Sequence, residues 1–185
     1  MHTIPSRLTV IASAVSLLFA PLHNSEIAHA QAAKTSPCAA DSSFQRLAFW
    51  VGDWAVYDST GKRYAAQRVR RVVEDCAITA EWTGPVGDKG ISISSYDVGS
   101  HDWKQVYVSN QVPSPLGVQL RKSDPTYDGP GIRFVALLDP PTENTSRLRI
   151  TLLPVGDRVE ELFESSADGG ATWRMVFKAE HRHGG

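Results

Sequence analysis

The sequence has few of the residues and runs from which common functional sites are built. It contains 2 cysteines and 6 histidines, and its apolar run Leu8–Ala20 has about 13 residues, whereas a transmembrane helix needs roughly 20. Its net charge of −1 at pH 7 provides no electrostatic attraction to nucleic acid or to an anionic membrane surface. We therefore expect no nucleic-acid partner and no membrane-spanning helix.

The sequence also lacks the short motifs of the large enzyme families. It has no Gly-x-Ser-x-Gly, His-Glu-x-x-His, phosphate-loop or dinucleotide-binding glycine pattern. His101 falls in a predicted turn, and His181 and His183 lie two residues apart near the C-terminus. A metal site needs a third or fourth ligand, so we expect a solvated tail at these two histidines, no metal site and no cofactor.

The first 30 residues have the three-part layout of a secretory signal peptide. Arg7 precedes the apolar run, and Ala28–Ala30 forms a cleavage site with two small residues. Cleavage after Ala30 leaves 155 of the 185 residues, the length of one domain. We therefore expect a periplasmic or secreted protein with a signal peptide over 1–30, a flexible segment over 31–40 and one domain over 41–183.

Both cysteines, Cys38 and Cys76, lie in the exported part of the chain. Two cysteines in an oxidising compartment usually pair, so we expect a disulfide bond between them. A reactive thiol needs an activating neighbour, and the sequence around each cysteine offers none.

The rest of the chain alternates between apolar and polar residues with a period of two, which is typical of β-strands. A short helix is predicted first, over Phe44–Phe49, with Asp41 as its cap. Turn-forming glycine, proline and aspartate residues separate the strands that follow. The predicted strands are Trp54–Ser59, Tyr64–Val73, Ala77–Thr83, Gly90–Val98, Trp103–Ser109, Gly117–Lys122, Ile132–Leu138, Arg147–Leu153, Arg158–Ser165 and Thr172–Glu180.

The hairpin formed by the eighth and ninth predicted strands shows how the two faces of the sheet divide. One face is apolar apart from Glu161, and the other is polar and pairs opposite charges such as Arg149 and Glu164. A sheet with one apolar face over many strands removes its exposed edges by closing on itself. We therefore predict an all-β protein: one antiparallel up-and-down barrel of about ten strands with one short N-terminal helix.

Five short motifs follow one another along the exported part of the chain. The segment Phe49–Trp54 reads F-W-V-G-D-W, and it is followed in order by Asp75–Trp82, Tyr96-Asp97, Trp103–Gln105 and Ser166–Trp173. These motifs resemble those of a group of uncharacterised exported bacterial proteins. The resemblance covers nearly the whole exported chain and implies a barrel of the lipocalin or fatty-acid-binding type, without an assigned activity. Similar proteins often carry an acid before the phenylalanine of the first motif, where this chain has Ala48.

The last of these motifs is predicted to be a structural turn. It comprises Ser166, Asp168, Gly170, Thr172 and Trp173, and it also resembles the Asp-box of sialidases. In that motif the serine and aspartate bond the turn backbone, glycine takes the unusual dihedral angles and tryptophan packs beneath. A propeller of four or more blades does not fit 155 residues, so we do not interpret the motif as a glycosidase signature.

Four polar residues in otherwise apolar strands are the candidates for a ligand site. They are Glu81, Tyr96, Gln105 and Glu161. Ligand pockets are mostly apolar with a few placed polar groups, which these residues would supply if they face the lumen. The alternative is that each one faces solvent or pairs with an arginine such as Arg133 or Arg149.

Three functions are compatible with this pattern. The first is an exported binding protein that holds a small apolar or amphipathic molecule in the barrel lumen. The second is an enzyme that acts on a small substrate at the barrel mouth with Glu81 or Glu161 as general acid or base. The third is a structural or interaction protein whose lumen is filled by its own side chains.

Overall fold

A computed structural model describes residues 36–110, 118–137 and 147–184. In these residues the chain forms ten antiparallel strands that close into a barrel, which confirms the predicted fold class. The strands are β1 Gly52–Asp58, β2 Arg63–Val72, β3 Ala77–Thr83, β4 Lys89–Asp97, β5 Asp102–Ser109, β6 Val118–Ser123, β7 Ile132–Leu137, β8 Arg147–Val155, β9 Arg158–Ser166 and β10 Arg174–His183. A helical turn, α1 (Pro37–Ala40), and two 3-10 turns, Ser42–Gln45 and Ala48–Trp50, precede them.

The barrel closes because its first and last strands pair with each other. Trp54 of β1 lies opposite His183 of β10, and Val56 lies opposite His181. Each of the other strands pairs with its neighbours in sequence, so every strand has two partners and the sheet leaves no free edge. The largest difference from the predicted strand ends is in β10, which continues to His183 because it pairs with β1 along that length.

One end of the barrel is closed by the two 3-10 turns. Phe44, Leu47 and Trp50 are spaced three residues apart, and all three are buried against the barrel end. Phe44 belongs to the first 3-10 turn and Trp50 to the second, and Leu47 lies between the two turns. The sequence predicted one short helix over Phe44–Phe49. The structure has two separate 3-10 turns in this region instead.

The main apolar core lies between this closed end and the middle of the barrel. It is built from inward-facing residues of most strands together with Leu47 and Trp50 of the end turns. Its largest strand residues are Trp54, Ile78, Trp103, Ile132, Phe134, Ile150 and Leu152. The lumen at this end is therefore filled by the protein's own side chains.

The disulfide bond between Cys38 and Cys76 is present, as predicted. It joins α1 to the turn between β2 and β3, with a Cα–Cα distance of 5.0 Å. The segment 31–40 was predicted to be flexible, and its part from Pro37 to Ala40 forms the helical turn α1 that the disulfide holds.

The turn between β9 and β10 is held by a dense set of hydrogen bonds. Ser166 Oγ donates to Asp168 Oδ1 at 2.7 Å and accepts from the Gly170 backbone N–H at 2.8 Å. The Thr172 hydroxyl donates to Asp168 Oδ2 at 2.6 Å, and Trp173 Nε1 donates to the Gly170 carbonyl at 3.0 Å. Hydrogen bonds from Thr172 and then from Ser166 lower the pKa of the Asp168 carboxyl well below its ordinary value.

Several predicted features lie outside the described residues. These are the signal peptide over 1–30 with its cleavage site at Ala30, the predicted strand ends at Gly117 and Leu138, and residues 31–35. Within the described residues, none of the helices has the length and hydropathy needed to cross a bilayer.

Candidate functional site

The middle of the barrel lumen contains a cavity of about 50 Å³. It is lined by side chains from the second 3-10 turn and from the strands around the barrel. The lining residues are Trp50, Gln67, Ala80, Trp82, Ser92, Gln105, Tyr107, Arg121, Phe134, Ile150, Leu152 and Glu161. At ~10–15 Å³ for each water molecule, the cavity has room for on the order of four water molecules.

The two walls of the cavity differ in polarity. Phe134, Ile150 and Leu152 of β7 and β8 form an apolar wall. The wall formed by β4, β5 and β6 is polar, because there the usual alternation is reversed. Its inward residues Ser92, Ser94, Gln105 and Arg121 are buried, whereas the outward residues Ile91, Ile93, Val106, Val108 and Leu120 are 40 to 51% exposed.

Arg121 is the charged centre of the polar wall. Its side chain is only 9% exposed, and it donates one hydrogen bond to Gln105 Oε1 at 2.8 Å and another to Gln119 Oε1. Gln105 in turn donates to Ser94 Oγ at 3.0 Å. Burial lowers the pKa of the Arg121 guanidinium from its ordinary value, and the negative charge of Glu161 acts in the opposite direction.

Glu161 brings the opposite charge to the same cavity. Its Oε2 lies 3.0 Å from Nε2 of His181, which is fully buried in the strand beside it. An ionised carboxylate can only accept, so Nε2–H of His181 is the donor. Within residues 36–110, 118–137 and 147–184, no three histidine, cysteine or acidic side chains are arranged to hold a metal ion.

Two further polar atoms at the cavity are buried without a partner. Nε1 of Trp50 and Oε1 of Gln67 make no hydrogen bond with any of the described residues, and both side chains line the cavity. A buried polar group without a partner costs on the order of 1–3 kcal/mol, so such groups usually meet water or a ligand. The residues that line the cavity thus include one unpartnered donor atom and one unpartnered acceptor atom in addition to the charged groups of Arg121 and Glu161.

Aromatic side chains lie at the end of the lumen opposite the 3-10 turns. Tyr64, Trp82 and Phe177 form a cluster, with ring centroids 5.4 Å apart from Tyr64 to each of the other two. A β-bulge where β1 meets β2 at Tyr57 allows Tyr64 to turn toward the lumen. Burial, and secondarily the charge of Glu161, raise the pKa of the Tyr64 phenol.

The structure brings together two of the four predicted site residues. Gln105 and Glu161 both line the cavity. Tyr96 packs instead at the closed end, where its ring meets Phe44 at 5.4 Å and its hydroxyl lies 3.2 Å from His101 Nδ1. The prediction that Glu81 faces the lumen is wrong, because its side chain is exposed on the outer face of the barrel. Its neighbours Ala80 and Trp82 line the cavity, and side chains alternate between the two faces of a strand.

Sequence reasoning missed several polar residues of the site, among them Arg121 and Gln67, which line the cavity, and His181, which contacts Glu161. The solvated tail expected at the last two histidines is wrong for His181, which is 0% exposed because β10 continues past it and pairs with β1. His183 is exposed and stacks on Trp54 with ring centroids 4.3 Å apart. One signal in the sequence could have identified His181: it lies two residues after Ala179, so it belongs to the same face of the strand. Both side chains are buried.

The described residues thus define a class of protein: a closed antiparallel barrel with one plugged end and a small, half-polar cavity in its lumen. No protein-family model matches the chain, and no curated protein sequence matches it either. The family resemblance of its motifs therefore stays a prediction.

Proposed function

We propose that this protein is exported and binds a small amphipathic molecule in the barrel lumen. The observation that carries the proposal is the half-polar cavity, whose lining combines an apolar wall with a buried arginine and with two side chains that carry unpartnered polar atoms. An amphipathic ligand matches this division, because its polar end satisfies the donors and acceptors while its apolar part contacts Phe134, Ile150 and Leu152.

The size of the cavity limits how such a ligand is held. Its volume of about 50 Å³ is far below the ~300–1,000 Å³ of pockets that enclose a whole drug-sized molecule. In the proposed arrangement, the cavity holds the polar end and the start of the apolar part, which contacts Phe134, Ile150 and Leu152. The rest of the ligand would lie against the aromatic cluster of Tyr64, Trp82 and Phe177. Aromatic rings supply the contact area for an apolar chain at this point.

The disulfide bond supports export, because such bonds persist in oxidising compartments and are rare in the cytosol. Export places the binding site in the periplasm or outside the cell, as the predicted signal peptide over 1–30 also implies. The proposed role is therefore to sequester or carry a small molecule in that compartment.

An enzyme is the second candidate, and one observation favours it. Glu161 lines the cavity and is oriented by His181, which is how a general base is held beside a substrate. The two candidates differ in what happens to the bound molecule: a binding protein returns it unchanged, and an enzyme releases a product.

The test is native mass spectrometry of protein purified from its own cells, followed by extraction of the bound molecule. The Ala80→Leu variant fills the cavity, because Ala80 is 2% exposed and lines it. We expect this variant to lose the bound molecule and to bind the fluorescent probe 1-anilinonaphthalene-8-sulfonate at least tenfold more weakly than the wild-type protein.

The matched control is Ala66→Leu, which adds the same atoms on the exposed face of β2. Circular dichroism shows whether both variants remain folded, and Ser92→Val is a smaller insertion if Ala80→Leu does not fold. Equal binding by the folded cavity variant and the control would place the ligand elsewhere. A wild-type protein that carries no molecule and binds no probe would overturn the proposal.

A further inference from the structure

A second pocket lies at the closed end of the barrel and shares none of its lining residues with the lumen cavity. One side is formed by the first 3-10 turn and the residue after it, and the other by β4, β5, β6 and the turn between β4 and β5. The lining residues are Ser42, Ser43, Gln45, Arg46, Tyr96, His101, Trp103 and Ser123. Its volume of about 460 Å³ falls within the range of pockets that hold a whole small molecule.

Hydrogen bonds fix both sides of this closed-end pocket. The Trp103 indole N–H donates across the pocket to the Ser43 carbonyl at 3.1 Å. On the side of the 3-10 turn, the Gln45 amide donates to the Cys38 carbonyl at 3.0 Å and accepts from Arg71 at 2.6 Å. The shape of the pocket is therefore set by the packing of the 3-10 turn against the strands.

Arg46 brings a positive charge to the pocket. Its Nε donates to the Gly131 carbonyl at 3.1 Å, which leaves four of its five N–H groups without a partner among the described residues. None of the acidic side chains in the described ranges lines the pocket. Asp41 and Asp124, which adjoin lining residues in the chain, accept hydrogen bonds from groups of their own turns. Open guanidinium donors in a pocket without acids favour an anionic ligand.

Ser123 adds a donor that is buried. Its side chain is 6% exposed, and its Oγ accepts from the Trp103 backbone N–H at 2.9 Å. The hydroxyl also carries a proton, and no acceptor for it lies among the described residues. Buried polar groups rarely remain without a partner, so this proton indicates a bound molecule in the pocket. Ser42 and Ser43 place two more hydroxyls on the opposite side.

His101 lines the same pocket in an unusual backbone conformation. Its φ of 55° lies in the left-handed region, which residues other than glycine rarely adopt. Asp97 stabilises the turn by accepting from the backbone N–H groups of Gly99 and Ser100 at 2.9 and 3.3 Å. His101 Nδ1 lies 3.2 Å from the Tyr96 hydroxyl. When Tyr96 donates this bond, a neutral imidazole carries its proton on Nε2 and offers a further donor. Strained conformations of this kind cluster at binding sites.

The number and placement of these donors select among anions. A carboxylate has two oxygens in one plane, which a single guanidinium satisfies. A phosphoryl group has three terminal oxygens that point in different directions, and it therefore uses donors from several sides. The closed-end pocket has such donors on both sides, with Arg46 and two serines facing Ser123 and His101. Its volume leaves room for an organic group attached to the phosphate.

We propose that the closed end of the barrel binds a small phosphate monoester, with the phosphoryl group held between Arg46 and the serine hydroxyls. This site is separate from the lumen, so the proposal does not depend on the proposed function. The same chemistry is presented by a soluble phosphorylated molecule and by the head group of phosphatidate in a lipid bilayer.

The test titrates glycerol 3-phosphate and, separately, acetate into the wild-type protein. We expect isothermal titration calorimetry to show glycerol 3-phosphate binding at least tenfold more tightly than acetate, because it engages more donors. In proton–nitrogen NMR spectra, the indole signal of Trp103 and the amide signal of His101 should shift, since both residues line the pocket. The signals of Trp82 and Tyr107, which line the lumen cavity, should not.

Three variants test the named groups. Arg46→Gln should weaken binding of glycerol 3-phosphate at least tenfold, and because Arg46 is exposed the variant leaves the core intact. Ser123→Ala should weaken it about threefold by removing the buried donor. Arg174→Gln is the matched control, since it makes the same change at an exposed arginine at the start of β10. It should bind glycerol 3-phosphate as the wild-type protein does.

A second arm distinguishes the two sources of the phosphate. The protein is sedimented with phosphatidylcholine vesicles that contain or lack phosphatidate. Cosedimentation that requires phosphatidate and is lost in Arg46→Gln would identify the lipid head group as the ligand. Binding of glycerol 3-phosphate without cosedimentation would identify a soluble monoester.

Four results would overturn the proposal. They are no binding in either arm, acetate binding as tightly as glycerol 3-phosphate, Arg46→Gln binding like the wild-type protein, and shifts at Trp82 and Tyr107 in place of those at Trp103 and His101. The last result would place the phosphate in the lumen.

Discussion

At the scale of single residues, the most consequential contact in the lumen joins Glu161 to His181. His181 is fully buried on β10, and its Nε2 lies 3.0 Å from a carboxylate that also lines the cavity. Its other ring nitrogen, Nδ1, has no hydrogen-bond partner among the described residues. Among the described residues, the His181 imidazole therefore hydrogen-bonds only Glu161, and this bond orients the Glu161 carboxylate.

Removal of this imidazole should destabilise the barrel. We expect His181→Ala to lower the free energy of unfolding by about 2–4 kcal/mol, because it leaves a cavity and takes the donor from Glu161. Urea unfolding at pH 7 measures the change. His183→Ala is the control two residues along the same strand, where the side chain is exposed, and it should cost less than about 1 kcal/mol. Equal losses in the two variants would contradict a special role for the buried histidine.

The alternation of side chains also decides which site residues could be predicted from the sequence. Gln105 and Glu161 were nominated because polar residues interrupt apolar strands, and both line the cavity. Glu81 satisfied the same criterion, yet it points outward. The criterion assumes an apolar lumen everywhere, and a polar residue between apolar neighbours can equally be the outward residue of a well-formed strand.

At the scale of elements, the strands β4, β5 and β6 show why Arg121 escaped notice. Their outward residues are apolar and their inward residues are polar, so the binary pattern is the reverse of that in the hairpin of β8 and β9. A period of two identifies a strand whichever face is apolar, which is why all ten strands were predicted. The period does not indicate which face of the strand lies inside the barrel. Here the inner face is identified by the pairing of Gln105 with Arg121 across β5 and β6.

The turn between β9 and β10 is an element whose hydrogen bonds follow from its residue types. Ser166 is 2% exposed, and its Oγ contacts Asp168 and the backbone N–H of Gly170. Arg149 stacks on Trp173 at 4.2 Å and forms an ion pair with Glu164, so the same turn is tied to β8. Hydrogen bonds from Arg149 lower the pKa of the Glu164 carboxyl.

The hydroxyl of Ser166 should therefore contribute measurably to stability. We expect Ser166→Ala to lower the free energy of unfolding by about 1–3 kcal/mol, because it leaves buried turn groups without their partner. Thermal and urea unfolding provide the measurement. Ser59→Ala alters an exposed serine in another turn and should change stability by no more than about 0.5 kcal/mol. A Ser166 variant as stable as this control would show that the turn does not depend on the hydroxyl.

At the scale of the whole molecule, closure is the feature that the local pattern predicts least directly. No strand specifies its partner at the far end of the chain, and closure was inferred because an open sheet of this size exposes its edges. The pairing of β1 with β10 provides closure, and it also buries His181, which was expected in a solvated tail. The size of the cavity depends on how side chains pack across the barrel, and the periodicity of the sequence does not predict that packing.

The disulfide bond is the one covalent tie across this molecule, and it lies outside the strand pairing that closes the barrel. It links α1 to the turn after β2, where Val73, Glu74 and Asp75 have left-handed backbone angles with φ of 52°, 51° and 68°. Non-glycine residues rarely adopt this conformation, so the bond holds a turn that costs conformational energy.

Loss of the bond should destabilise the protein without unfolding the barrel. The two cysteines are 38 residues apart, and closing a loop of that length stabilises a folded chain by about 4 kcal/mol in the chain-entropy model. We expect the double variant Cys38→Ser, Cys76→Ser to lose up to that amount in urea unfolding while its far-UV circular dichroism stays that of a barrel. Dithiothreitol should destabilise the wild-type protein by a similar amount and leave the double variant unchanged. If reduction has no effect on the wild-type protein, the bond does not restrict the unfolded chain and its contribution lies only in positioning α1.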